Sequence, residues 1–158
     1  MSANDYTDAY LSGILMDVRT IAVVGASPRP NRPSHGVMRY LQRQGYRAIP
    51  VNPFAAGTTI LGELCYASLA DLPRAGLGPI DMVDIFRRSE AAGAVVDEAI
   101  ALGVKPGVKP GVKTVWMQLG VVDPAAASRA EAMGIRVVMN RCPAIEIPRL
   151  GLARPGSS

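Results

Sequence analysis

Five short, almost unbroken apolar runs punctuate the chain, at residues 20–24, 47–51, 82–86, 114–117 and 135–139, and the longer stretches between most of them place apolar residues three or four apart. Unbroken runs of this length predict strands buried on both faces, and the three-to-four spacing predicts one apolar face of a helix. A first helical segment covers 5–17, with Tyr6, Tyr10, Ile14 and Val18 at helical spacing. A second starts near Ser34, carries Val37, Met38 and Leu41 on one face, and stops at Gly45. Ser89 can cap a third helix with Ala92, Val96, Ala99 and Ile100 inside and Gly103 as its stop. A fourth opens on Asp123-Pro124, a cap followed by proline at the first helical position, and ends at Gly134. Residues between the second and third strands read as irregular, with a short helical turn begun by Ser68.

The order βαβαβαβαβ predicts an α/β fold: a doubly wound, Rossmann-like parallel sheet of five strands with helices on both faces, joined by right-handed crossovers. Ligands of such sheets sit beyond the carboxyl ends of the strands, where the strand order reverses. The loops to inspect are therefore 25–34, 52–53, 87–88, 118–121 and 140–142. The chain of 158 residues is expected to form a single domain over 1–150, with 151–158 as a flexible tail.

One segment fits no element. Residues 103–113 read Gly-Val-Lys-Pro-Gly-Val-Lys-Pro-Gly-Val-Lys, a tetrapeptide repeated almost three times. Its prolines and glycines exclude helix and central strand, so it is expected as a solvated loop at the amino end of the sheet, away from the ligand end.

Composition narrows the chemistry. Neither a membrane-length apolar run nor a signal-peptide pattern is present, which predicts a soluble, cytoplasmic protein. Cys65 and Cys142 are too few for a disulfide framework, and with His35 as the one histidine no metal site or ordinary catalytic triad is expected. The net charge of +4 suits an anionic partner, but with 5% aromatic residues and no basic stripe nucleic acid is not expected.

The densest chemistry lies at 25–34. A β-branched strand delivers the chain to Gly25, where a missing side chain lets backbone N–H groups approach an anion. Ser27 adds a hydroxyl, and the helix near Ser34 adds unpaired amides and a positive dipole end. This is a phosphate cradle without the dinucleotide fingerprint, since Ser27 and Pro30 stand where glycines are required.

In order along the chain, Val-Val-Gly-Ala-Ser (23–27), Arg-Pro-Ser (32–34), Gly-Tyr-Arg-Ala-Ile-Pro-Val-Asn-Pro (45–53), Met-Val-Asp-Ile-Phe-Arg (82–87), Trp-Met-Gln-Leu-Gly (116–120) and Asn-Arg-Cys-Pro-Ala-Ile-Glu (140–146) span nearly the whole domain. Together they resemble the small single-domain CoA-binding proteins, whose fold is similar to the CoA-binding domain of succinyl-CoA synthetase. The resemblance implies strand order 3-2-1-4-5 and coenzyme A held across the strand ends. It departs from the family pattern at the repeat, which reads as an insertion of two tetrapeptide copies between the third helix and the fourth strand.

On that reading Gly25, Ala26 and Ser27 take the pyrophosphate, and Arg29 or Arg32 adds a bidentate contact near Ser34. Neutral Asn52 with Pro53, in place of the acid of an NAD site, suits a ribose bearing a 3′-phosphate. Phe86, Arg87, Gln118, Gly120, Asn140, Arg141 and Cys142 complete the expected site. Phe86 and Trp116 are core candidates as well as stacking candidates, and Arg87 and Arg88 fit a solvated pair as well as a binding pair. Cys142 reads either as a small buried hydrophobe or as a partner for a mixed disulfide with the CoA thiol. Glu146 is expected to pair with Arg141 or Arg149, and no residue demands catalysis. The leading expectation is non-catalytic binding of coenzyme A or an acyl-CoA, with the protein partner unknown. The alternatives are a CoA ligase-type subunit that needs a separate partner and an NAD(P)-binding regulatory domain.

Overall fold

A computed structural model describes residues 5–104 and 111–154 of the chain. The elements follow the order α1 (Asp8–Asp17), β1 (Thr20–Val24), α2 (Pro33–Arg43), β2 (Arg47–Val51), the hairpin strands β3 (Thr59–Ile60) and β4 (Glu63–Leu64), and a 3-10 helix (Leu69–Ala75). They continue with β5 (Met82–Ile85), α3 (Ser89–Val104), β6 (Thr114–Met117), α4 (Pro124–Ala132), β7 (Arg136–Val138) and α5 (Pro143–Arg149). The main sheet is parallel throughout, in the order β2-β1-β5-β6-β7. Its two faces carry separate apolar cores, as the unbroken apolar runs require. One face packs Val24, Ile49, Val83, Ile85 and Val115 with Leu69 and Leu72 of the 3-10 helix and the alanine- and valine-rich sides of α3 and α4. The other packs Ile21, Val23, Met82 and Trp116 with Leu11, Ile14 and Leu15 of α1, Met38 and Leu41 of α2, and Ile147 of α5.

The α/β doubly wound fold is the expected one, but the strand order corrects the reading made from resemblance. Counting only the five strands of the main sheet, the order is 2-1-3-4-5 rather than 3-2-1-4-5, because β5 lies beside β1 with Ile21 opposite Met82. Pro50 supplies the physical reason. Its carbonyl points outward from β2 and accepts the Tyr66 N–H at 3.1 Å, while its nitrogen, on the same outer side, has no hydrogen to give. A strand interrupted in this way serves as an edge, and it is closed by a single bridge to Tyr66 beside the β3–β4 hairpin. β5, buried at all four positions, takes the interior place.

The opposite edge is closed by side chains. The Tyr10 hydroxyl donates to the Val137 carbonyl at 2.9 Å and accepts its N–H at 3.0 Å, and the Tyr6 hydroxyl accepts the Met139 N–H at 2.8 Å. The ladder groups of β7 that face outward are thus paired, which protects an edge strand from foreign pairing. The tyrosines expected inside the first helix do this work from its start. Tyr6 lies ahead of the helix, because Thr7 is the cap and accepts the Tyr10 N–H at 3.1 Å.

Two elements exceed the expectation: the short hairpin, turned by Leu61 and Gly62 at positive φ, and α5. Of the segment 151–158, the Leu152 N–H donates to the Ile147 carbonyl and the Arg154 N–H to Gln44 Oε1, while 155–158 lie outside the described residues. Residues 105–110 of the repeat also lie outside them, so the expectation of a solvated loop there rests on sequence alone. The ends that flank them meet closely, since a Cβ on Gly111 would stand 2.7 Å from the Gly103 Cα.

Candidate functional site

The strand order reverses between β1 and β5, and a cavity of about 900 Å³ opens at their carboxyl ends. Gly25 ends β1 with φ +93°, and any side chain there would collide with the Phe86 carbonyl oxygen. Glycine is therefore required on both conformational and steric grounds. The turn is braced from β2: the Gly25 N–H donates to the Val51 carbonyl at 2.8 Å, and Asn52 Nδ2 donates to the Ala26 carbonyl at 2.7 Å. Asn52 Oδ1 accepts the Phe54 N–H at 3.0 Å. Although Asn52 lines the cavity, its amide is engaged in holding the cradle and does not stand ready for a ribose.

Ser27 Oγ accepts the Arg29 N–H at 3.1 Å, which leaves the hydroxyl hydrogen for a ligand. Arg32 is the residue before α2 and makes no side-chain cap, and Pro33 at the first helical position has no N–H to satisfy. The α2 start, with Ser34 buried, faces the cavity. Four arginines, Arg29, Arg32, Arg87 and Arg88, line the cavity, and among the described residues none of them forms a salt bridge. Among the described residues no acidic side chain lines it. Two apolar flanks complete the wall: Phe54, 94% exposed, with Ala55 beyond β2, and Leu119 with Val121 beyond β6.

The structure thus brings Gly25, Ser27, Arg29, Arg32, Ser34, Asn52, Phe86, Arg87, Gln118 and Gly120 into one cavity wall. Ala26 is fully buried beneath it, and Pro53 is exposed outside it. Asn140 works from behind: at φ +60° its Oδ1 accepts the Gly120 N–H at 2.8 Å and sets the loop after β6. Arg141 turns to the other side of β7, with its guanidinium over the Tyr6 ring at 5.8 Å. Trp116 is wholly core, and its indole N–H donates to the Arg141 carbonyl at 2.8 Å. Glu146 pairs with Arg149 at 2.8 Å. His35 does not line the cavity.

Cys142 is 5% exposed and lies behind Gln118 rather than in the wall. Burial pushes its thiol up, while the nearby Gln118 side chain and the N–H groups of Ala144 and Ile145 work in the opposite direction. The Arg141 guanidinium next to it in sequence faces the Tyr6 ring instead.

Phe54 and Ala55, which carry no polar signal, lie outside the loops to which the sequence points, whereas Leu119 and Val121 lie within the loop 118–121. Asp84, an acid in the middle of an apolar strand, is a signal in the sequence that the site assignment leaves out. Asp84 is 0% exposed, neither carboxyl oxygen has a hydrogen-bond partner, and burial holds its carboxyl well above the usual carboxylate range. Among the described residues no group of three or more His, Cys, Asp or Glu side chains is placed to hold a metal ion.

A chain from Bacillus subtilis (strain 168), the uncharacterized protein YneT, is 36% identical over 134 residues, covering 85% of this chain and 89% of that one. A Thermus thermophilus structure superposes with a TM-score of 0.80 at 39% identity, over 92% of this chain and 99% of the other. A hypothetical protein from Pyrococcus horikoshii OT3 gives 0.78 at 36% identity, over 92% of each chain. Residues 19–148 match the model of a family described as a CoA binding domain.

Proposed function

The chain belongs to the CoA-binding domain family, and from that premise we propose that it binds coenzyme A or an acyl-CoA, without turnover, across the carboxyl ends of β1, β5 and β6. The observation that carries this reading is a cavity lined by four arginines free of salt bridges and by no acid. Coenzyme A brings three phosphate groups, and guanidinium forks match such groups in pairs of charge-assisted hydrogen bonds. The cradle of Gly25 and Ser27 with the α2 start takes the pyrophosphate, and the arginines surround it. The apolar flanks on either side, Phe54 with Ala55 and Leu119 with Val121, suit the base at one end and the pantetheine chain at the other.

The same wall argues against a dinucleotide. The residue after β2 that would accept ribose hydroxyls is an amide already bonded to Ala26 and Phe54, not an acid. A thermal-shift series with coenzyme A, dephospho-CoA and NAD tests the reading. A ligand at a hundred times its dissociation constant adds about 2.7 kcal/mol, which moves the midpoint of a chain this size by several degrees. Coenzyme A is expected to shift it most, dephospho-CoA less and NAD least. Equal shifts from coenzyme A and NAD would remove the assignment.

A further inference from the structure

The cavity wall holds a polar atom that the fold leaves without a partner. Gln118 lines the cavity just beyond β6 and is only 7% exposed, yet its Oε1 accepts no hydrogen bond. An amide oxygen is an acceptor only, so a buried one costs stability until a donor reaches it. Asp84 and Thr114 also bury partnerless oxygens, but neither lines the cavity. The backbone of Gln118 is fixed: its N–H donates to the Ile85 carbonyl at 3.2 Å, and its carbonyl accepts the Val121 N–H at 2.9 Å. The loop that follows is pinned from two further elements. The Asn140 carboxamide holds the Gly120 N–H, while the Ser89 hydroxyl donates to the Gly120 carbonyl at 3.3 Å and accepts the Val122 N–H at 3.0 Å. The unpaired acceptor therefore stands on a rigid base, as a specific contact requires.

The rest of the cavity says which donor suits it. Strand order puts Phe54 beyond β2 on one side and Gln118 beyond β6 on the other, with the Gly25 cradle between them. Phe54, 94% exposed, is the aromatic ring open to a stacked base, so the adenine amino group lies across the cradle from Gln118. Phosphates offer only acceptors. What remains on the Gln118 side is the pantetheine arm, which carries two amide N–H groups. The cradle and Gln118 are two strand spacings apart, about 10 Å, and the second amide of the arm, the one nearer the thiol, lies about that far from the pyrophosphate when the chain is extended. We propose that Gln118 is a specificity-determining residue: its Oε1 accepts the N–H of that second amide, so the protein selects nucleotides bearing a pantetheine arm over the same nucleotide without it. Leu119 and Val121 surround the bond with apolar surface, where an amide pair is stronger than in water.

This inference rests on the CoA reading, and the experiment separates the two. Calorimetric titrations compare the parent with Gln118→Met, which keeps the length of the side chain and removes the acceptor. The ligands are coenzyme A, 3′-phospho-ADP as the nucleotide without the arm, and a coenzyme A analogue with an ester in place of the second amide. Coenzyme A should bind Gln118→Met about tenfold more weakly than the parent, the loss expected when an N–H is buried unpaired. The nucleotide 3′-phospho-ADP should bind both proteins alike. The analogue should bind the parent about tenfold more weakly than coenzyme A does, and Gln118→Met no more weakly. If coenzyme A binds Gln118→Met as tightly as the parent, or the substitution weakens 3′-phospho-ADP equally, the inference is overturned and the CoA reading stands. Should the variant not fold, the parent decides alone, and equal affinity for coenzyme A and the analogue overturns the inference. If coenzyme A does not bind the parent, both fall.

Discussion

Single side chains in this protein divide into those that face the ligand and those that hold them in place. Arg32 belongs to the first group, since it lines the cavity at the α2 start with no acidic partner. Arg32→Ala is expected to weaken coenzyme A by about 1.5–3 kcal/mol, the range of a charge-assisted hydrogen bond, in a direct titration. An unchanged dissociation constant would place the guanidinium in solvent. Gly25 belongs to the second group. Gly25→Ala forces a side chain at φ +93° against the Phe86 carbonyl, so a lowered melting temperature and lost CoA binding should appear together. Asp84 makes a prediction about pH. Its proton is held by the folded state and lost by the unfolded chain once pH exceeds the ordinary carboxylate range of about 4. Stability from this group is therefore greatest below that range and falls as pH rises toward the folded value, by at most about 1.4 kcal/mol per unit. Asp84→Asn should flatten that decline and raise stability at neutral pH and above, as read by denaturant unfolding across pH. A variant less stable than the parent at pH 8 would mean that the carboxylate has a partner.

Elements show where sequence was sufficient and where it was not. The segment from Pro106 to Lys113 is expected to be dispensable: its deletion leaves Gly-Val-Lys-Thr, the sequence produced by joining Gly103 straight to Val112, and Gly103 already touches Gly111. Unfolding midpoint and CoA affinity should stay close to those of the parent, and loss of binding in a folded deletion variant would mean that the repeat reaches the ligand. At the far edge, Tyr10→Phe removes the hydroxyl that pairs both backbone groups of Val137, and a loss of about 1–2 kcal/mol in unfolding free energy should follow. The five strands of the main sheet and four of the helices are legible because apolar runs, caps and stop glycines agree. The α5 helix, like α4, has proline at its first position, but Cys142 before it gives no side-chain cap and Pro148 within it breaks the pattern. Pro50 marked β2 as an edge strand, yet the order taken from resemblance placed that strand inside the sheet. Neighbouring strands cannot be read from periodicity, which says that a strand is buried and not beside what.

For the molecule as a whole, the loops at the carboxyl ends are legible in the sequence because a parallel sheet has only one ligand end. Ten of the fifteen expected site residues line the cavity there. Three of the other five share a cause. Asn140, Arg141 and Cys142 follow a strand at the correct end, but side-chain direction turned them behind the wall or across β7, and a linear sequence does not carry that direction. Phe54 on the apolar rim is not legible for a different reason, as single exposed hydrophobics are ordinary on any surface. The central claim concerns the ensemble: a cavity at the β1–β5 crevice, lined by four arginines and no acid, holds coenzyme A. Calorimetric titration of the purified protein with coenzyme A and, separately, with NAD tests it most directly. A saturable one-to-one isotherm for coenzyme A, at least about tenfold tighter than NAD and so about 1.4 kcal/mol more favourable, is the predicted result. No binding of coenzyme A, or equal affinity for the two, would contradict it.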